Sequence, residues 1–391
     1  MVDEPMAQPS TAQPDGRSEP QPVLPDYTGA CIANLIPALV ARGTAAAPAW
    51  LPGALKAEHP VVVLVVDGLG WMQLQDRGHL APNLMGGTGV GQPITSVAPT
   101  TTAAALTSLT TGVSPSTHGI LGYRMAVDDE IMNVLHWTAG LCPPRDLRRE
   151  RPPAIFQPFE PLGFNPDPIP VVSRHEFSAT GFTAAHLGRS PIVGYRTPSA
   201  LPIEISRLVA AQVPFVYAYI DGLDKVAHAY GLGEHYEAEL AATDHLIGQI
   251  IDRLPANATL VVTADHGQVE VGNSVEFLGA SIMSGLSFLS GEGRFRWLHA
   301  RPGATDDLVA EAKERYGTTT WVRTRSEVVD AGWFGDSWTT DVISRLGDVL
   351  LAPHAPMAFA DPSDVGENRL VGRHGSLTAE EVLVPLITLQ A

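Results

Sequence analysis

The chain has 391 residues, 45% of them hydrophobic, and a formal net charge of -17. That size accommodates one large α/β domain with an insert, or two domains, around a sizeable core. The acidic balance excludes a nonspecific grip on a nucleic-acid polymer or anionic lipid and leaves room for a local basic pocket that takes a small anion.

Residues 1–26 are rich in Pro, Gln, Ser and Asp and bury too little apolar surface to offset ordering entropy, so a flexible tail is expected there. The opening Met1-Val2-Asp3-Glu4-Pro5 lacks the apolar core of a secretory signal, and no apolar stretch is long enough to span a bilayer. The expected localisation is therefore cytoplasmic. Two cysteines, Cys31 and Cys142, are too few for a thiolate metal cage, so any metal must be held by N and O ligands. A short helix is predicted over 34–40.

From Val61 the chain alternates apolar runs with amphipathic stretches. The run 61–66 is all Val and Leu, as in a strand buried on both faces. Similar runs follow at 169–172, 214–220, 258–263 and 382–387, with helical stretches at 201–211 and 236–253 between them. This predicts an α/β fold with a mostly parallel central sheet covered by helices on both sides. Ligands in such sheets bind at the carboxyl ends of the strands. Residues 27–284 read as the first part of this core, 285–337 as a small inserted α/β cap, basic in places (Arg294, Arg296, Arg301), and 338–391 as the return to the core.

Several strand ends carry metal-ligand side chains. Asp67 ends the first run, where a buried unpaired carboxylate is unfavourable and a cation is a natural partner. Asp224 and His228 are spaced i, i+4, on one helix face, with Asp221 three residues earlier as a supporting partner or cap. Asp265-His266-Gly267 puts two ligands at one strand end, and His374 sits in the turn Gly372-Arg373-His374-Gly375. The stretch from Thr100 to Gly112 predicts a helix from 103 that stops at Gly112, with Thr100, Thr101 and Thr102 at its N-terminus. Free N–H groups there attract phosphate, and a threonine hydroxyl beside a metal is a nucleophile, although N-capping also accounts for a threonine at this position. His118 reads as a histidine that pins the loop after this helix.

Taken together, these residues resemble the alkaline phosphatase superfamily, and within it the type I phosphodiesterase/nucleotide pyrophosphatase family. Six parts come in the family's order: strand–Asp67, Pro99-Thr100-Thr101-Thr102, Thr111-Gly112-Val113-Ser114-Pro115-Ser116-Thr117-His118-Gly119-Ile120, Asp224 to His228, Asp265-His266-Gly267 and Gly372 to Gly375. The resemblance implies two divalent metal ions, with Zn²⁺ favoured by three histidines and Mn²⁺ as the alternative. It assigns Asp224, His228 and His374 to one metal and Asp67, Asp265 and His266 to the other. Thr102, beside the second metal, is implied as the nucleophile that forms a phospho-threonine. The family pattern also implies an Asn three residues after the nucleophile. That position is Ala105 here, so the Ala103 N–H, Tyr123 and Arg124 are the expected substrate-binding replacements. The implied partner is a small phosphorylated substrate, a phosphate diester or nucleotide pyrophosphate. The alternatives are a phosphomonoesterase or phosphonate hydrolase on the same site, or a catalytically silent phosphate-binding protein. The sequence leaves the oligomeric state open.

Overall fold

The computed structural model describes residues 19–391 except 53, 54, 56, 88–91, 129, 141, 142, 165, 166 and 365, so residues 1–18 of the expected tail lie outside it. In chain order, the elements that frame the site are β1 Val61–Val66, α1 Thr102–Thr111, β2 Val171–Arg174, β3 Ile192–Tyr195, β4 Phe215–Ile220, α2 Gly222–Tyr230, α3 Glu234–Ile251 and β5 Thr259–Thr263. They continue with β6 Leu286–Glu292, β7 Phe295–Ala300, α4 Thr305–Tyr316, β8 Thr320–Thr324, β9 Val349–Pro353 and β10 Ile387–Gln390.

The main sheet has the order β10-β5-β1-β4-β2-β3. All its pairings are parallel except β10 with β5. Every residue of β1, β4 and β5 is buried, which accounts for their composition, rich in β-branched and aromatic residues. The register decides where function can sit. Val65 lies opposite both Tyr219 and Thr263, so Asp67, Asp221 and Asp265 emerge side by side at one edge. These are the carboxyl ends of three central strands.

The predicted α/β class with a mostly parallel sheet is the observed one. The C-terminal run differs from expectation. Val382 ends a short helical turn, Leu383–Val384 pairs with Ile94–Thr95, and only Ile387–Gln390 joins the main sheet. Pro385 has no N–H to give a ladder, so the sheet strand starts after it.

A second sheet, β6-β7-β9-β8, is antiparallel throughout. The segment Gly347 to Leu351, read as the return to the core, contributes β9 to this sheet instead. Period-2 alternation explains its burial on both faces. Val322, Val349 and Leu351 pack with α4 residues Leu308 and Ala312 in a separate apolar cluster, whereas Trp321, Leu350 and Ala352 face the main core.

Residues 19–26, expected to be flexible, lie against the protein. Pro20 O accepts from Trp321 Nε1 at 2.6 Å, Glu19 pairs with Arg323 at 2.6 Å, and Val23 N donates to Leu377 O at 2.9 Å. A proline-rich segment keeps its carbonyls free to accept, so it docks without forming an element.

Candidate active site

The site is assembled at the carboxyl edge of β1, β4 and β5. Thr102 is the first residue of α1, with Thr101 as its N-cap residue, and Gly112 closes the helix at φ 73. The strained left-handed stop is what glycine supplies there. Thr100 is structural: its hydroxyl donates to Ser376 O at 2.8 Å and accepts from Gly375 N at 3.0 Å. That pair ties the N-terminus of α1 to the turn carrying His374. Thr102 Oγ1 lies 3.2 Å from His266 Nε2.

Three groups converge on that nitrogen. Besides Thr102, Asp67 Oδ1 is 3.5 Å away and Asp265 Oδ2 is 3.4 Å away. Both of these carboxylate oxygens are buried without a hydrogen-bond partner among the described residues. The other oxygen of each carboxylate is held: Asp67 Oδ2 accepts from Tyr219 OH, and Asp265 Oδ1 accepts from Gly68 N and His266 N at 3.2 and 3.0 Å. Each carboxylate therefore turns one occupied oxygen to the protein and one free oxygen to the same point.

The neighbouring cluster is built alike. His228 Nε2 lies 3.3 Å from His374 Nε2 and 3.4 Å from Asp224 Oδ1, whose carboxylate also accepts from Gln268 Nε2 at 2.5 Å. The convergent sets are Asp224, His228, His374 and Asp67, Asp224, His266, each with ligand atoms within 4.8 Å of one another. Asp224 belongs to both, so the two clusters adjoin. Asp221 stays outside them because Lys225 and Arg174 pair with it.

The tautomers follow from the second contacts. His228 Nδ1 faces Gly372 O at 2.7 Å, His266 Nδ1 faces Gly267 O at 3.0 Å and His374 Nδ1 faces Thr100 O at 2.7 Å. A carbonyl only accepts, so each Nδ1 carries the proton and each Nε2 presents a lone pair. Two such lone pairs face one another at 3.3 Å, and a third faces two carboxylates. Without a cation this arrangement is repulsive. Burial pushes Asp67, Asp224 and Asp265 above the ordinary carboxylate range, and neighbouring carboxylates add to this for Asp67 and Asp265. Burial likewise lowers His266 and His374. Convergent N and O lone pairs with oriented outer partners are what a hard or borderline divalent cation requires, so these residues fit a metal pair.

Two cavities meet at Thr102. One, of about 400 Å³, is walled largely by apolar groups including Leu106, Val171, Phe177, Phe182 and Ile192. The other, of about 290 Å³, is walled by Ala103, Tyr123, Glu292, Arg373, His228 and His374. Ala103 and Tyr123 thus lie where the sequence places them. The Ala103 N–H belongs to the first turn of α1 and has no intrahelical acceptor. Arg124 does not join them. Its guanidinium is tied to Asp361 at 2.6 Å and Ser363 at 3.0 Å, and it lines a different groove. Arg294 and Arg296 are also internal, paired with Glu381 and Glu367.

Three residues around the site are not among those the sequence reading assigns to it: Tyr219, Gln268 and Arg373. Tyr219 lies on β4 level with Val65, and Gln268 follows His266 by two. Polar tips at such places support the ligand residues beside them. Arg373 carries a visible signal, a cation directly before His374 in a glycine-bracketed turn.

A family model described as type I phosphodiesterase / nucleotide pyrophosphatase matches residues 61–189 and 184–377. No curated protein matches the chain. Among solved structures, murine ectonucleotide pyrophosphatase / phosphodiesterase 5 superposes with a TM-score of 0.61 at 17% identity, covering 84% of this chain and 87% of that one. Its inactive threonine-to-alanine variant in complex with AMP gives the same TM-score and identity over 84% of this chain and 88% of that one. At that identity the likeness establishes the fold.

Proposed function

The chain belongs to the type I phosphodiesterase/nucleotide pyrophosphatase family, and from that premise we propose that it is a two-metal hydrolase of phosphate diesters or nucleotide pyrophosphate bonds, with Thr102 as nucleophile. The observation that carries this reading is the Thr102 hydroxyl, 3.2 Å from His266 Nε2, at a helix N-terminus beside two Asp–His clusters. The inactive murine variant that holds AMP carries a threonine-to-alanine change, which supports a threonine in this role.

Asp224, His228 and His374 would hold one divalent cation, and Asp67, Asp265 and His266 the other, with Asp224 close enough to serve both. Bound there, such ions, Zn²⁺ in our reading, would favour the deprotonated hydroxyl and offset charge on the phosphoryl oxygens. Thr102 Oγ attacks phosphorus, the ester or pyrophosphate oxygen departs with the bonding electrons, and a phospho-threonine results. Water then attacks the same phosphorus, restoring the hydroxyl and releasing the phosphoryl product. The N–H groups that open α1, Ala103 among them, face developing negative charge with fixed partial positive charge. The apolar cavity beside Thr102 receives the carbon-rich part of the ester.

The substrate class follows from these parts: small phosphorylated molecules. Among the described residues no helix is long and apolar enough to cross a membrane. The reading keeps the cytoplasm as the proposed compartment. Comparing bis-p-nitrophenyl phosphate with p-nitrophenyl phosphate tests the reaction type in the Zn²⁺-loaded protein. The diester is the expected better substrate by kcat/KM. A clear preference for the monoester overturns the assignment.

A further inference from the structure

The second cavity contains a charge that the reaction above does not use. Arg373 is 2% exposed and lines this cavity together with Thr102 and His374. Its Nε donates to Leu370 O at 3.1 Å, but Nη1 and Nη2 are buried with no hydrogen-bond partner among the described residues. The carboxylate oxygen that comes nearest, Glu367 Oε1, is 4.0 Å from Nη1, beyond hydrogen-bond range. That carboxylate is already engaged. Its Oε1 accepts from Gly293 N, and its Oε2 takes Arg296 Nη2 at 2.6 Å.

The other charges near this cavity are also accounted for. Arg294 is closed onto Glu381 by two bonds of 2.7 and 2.8 Å. Glu292 is buried, with Oε1 lacking a partner. Burial, and after it the charge of Glu367, pushes its carboxyl well above the ordinary range. A buried guanidinium with two nitrogens unmet among the described residues puts a cationic wall on this cavity in an otherwise acidic protein. Gly293 forms part of the same wall. A side chain there would meet Arg373 Nη1 and Glu367 Oε1, each 2.9 Å from its Cβ, so glycine keeps the approach to the guanidinium open.

We propose that this end of the cavity is an anion subsite in which Arg373 binds a second negatively charged group of the substrate, a phosphate or a carboxylate, beside the phosphorus that Thr102 attacks. The proposal rests on the phosphodiesterase reading for its substrate, and it makes Arg373 a specificity-determining residue. Two planar N–H donors suit either oxyanion, and such a group completes hydrogen bonds that no described residue makes. The apolar cavity and this subsite then lie on different sides of Thr102, which selects substrates with one carbon-rich and one anionic arm.

Calorimetry on the Zn²⁺-loaded protein tests this without relying on turnover. The phosphate arm compares α,β-methylene-ADP with AMP. The carboxylate arm compares phosphonoacetate with methylphosphonate. In at least one arm the compound with two anionic groups is expected to bind about tenfold tighter or more than the compound with one. Arg373→Gln should abolish that preference and Arg373→Lys should restore part of it, with melting temperatures confirming that both variants fold. No preference in either arm of the wild type overturns the subsite, whatever becomes of the variants. A preference that survives unaltered in folded Arg373→Gln overturns the role of Arg373. Failure of the wild type to hydrolyse bis-p-nitrophenyl phosphate would instead count against the phosphodiesterase reading, and the binding preference would still decide the subsite.

Discussion

At the N-terminal end of α1, His266 presents Nε2 to Thr102 Oγ1 at 3.2 Å and to two carboxylate oxygens that have no other partner among the described residues. Toward the C-terminal end, His118 Nε2 lies 2.8 Å from Ser108 Oγ, and His118 Nδ1 accepts from Ile120 N at 3.1 Å. Both imidazoles are buried and both are kept neutral. At one end the ring nitrogen faces the Thr102 hydroxyl and two carboxylate oxygens that no described residue satisfies; at the other, both nitrogens are satisfied. Burial alone therefore does not mark a functional histidine. Convergent unmet lone pairs do, because only a ligand from outside the chain relieves them.

The largest effect is expected from Thr102→Ala. Alanine is a good helix former, and Thr101 remains the N-cap residue, so fold and metal content should persist while kcat for the diester falls by roughly 10³-fold or more. Thr101→Ala should retain most of the turnover, since it is Thr102 Oγ1 that lies 3.2 Å from His266 Nε2. Unchanged turnover in Thr102→Ala would remove the functional half of the contrast between the two ends of α1.

Metal analysis gives the next test. Asp224 belongs to both convergent sets, whereas His228 belongs to one. Asp224→Ala should therefore empty both sites, and His228→Ala should leave about one ion per chain in the deeper site. Equal metal content in the two variants would show that the clusters do not share Asp224.

Much of this arrangement is legible in the sequence, for a physical reason. Strands buried on both faces read as unbroken apolar runs, so composition alone locates β1, β4 and β5 and the Asp residues at their ends. The turn after Gly372 and the helix starting near Thr102 carry equally local signals. What is not legible depends on distance in the chain. Tyr219 reaches Asp67 across 152 positions, and Arg124 is drawn to Asp361 across 237, so neither partner can be read from neighbours. The apolar run of β9 points to the wrong sheet, because such a run identifies a strand but not its partner. The alternation that splits it between two cores takes effect only once β7 and β8 lie on either side.

The smallest effect concerns the structural end of α1. His118 is pushed down from the usual 6.5 to about 3, first by burial and then by Arg345. The unfolded chain therefore binds a proton at this residue at higher pH than the folded one. Stability from keeping His118 neutral is fully present above about pH 6.5 and declines as pH falls toward about 3. His118→Ala removes that titration and leaves Ser108 Oγ and Ile120 N short of a partner, which costs roughly 1–3 kcal/mol at neutral pH. Melting temperatures from pH 7 to pH 5 should start lower in the variant and fall less steeply than in the wild type. Parallel curves would mean that His118 does not titrate between the two states. With Thr102→Ala sparing stability, the two variants should separate cleanly: one end of α1 governs turnover, and the other governs how the fold withstands acid.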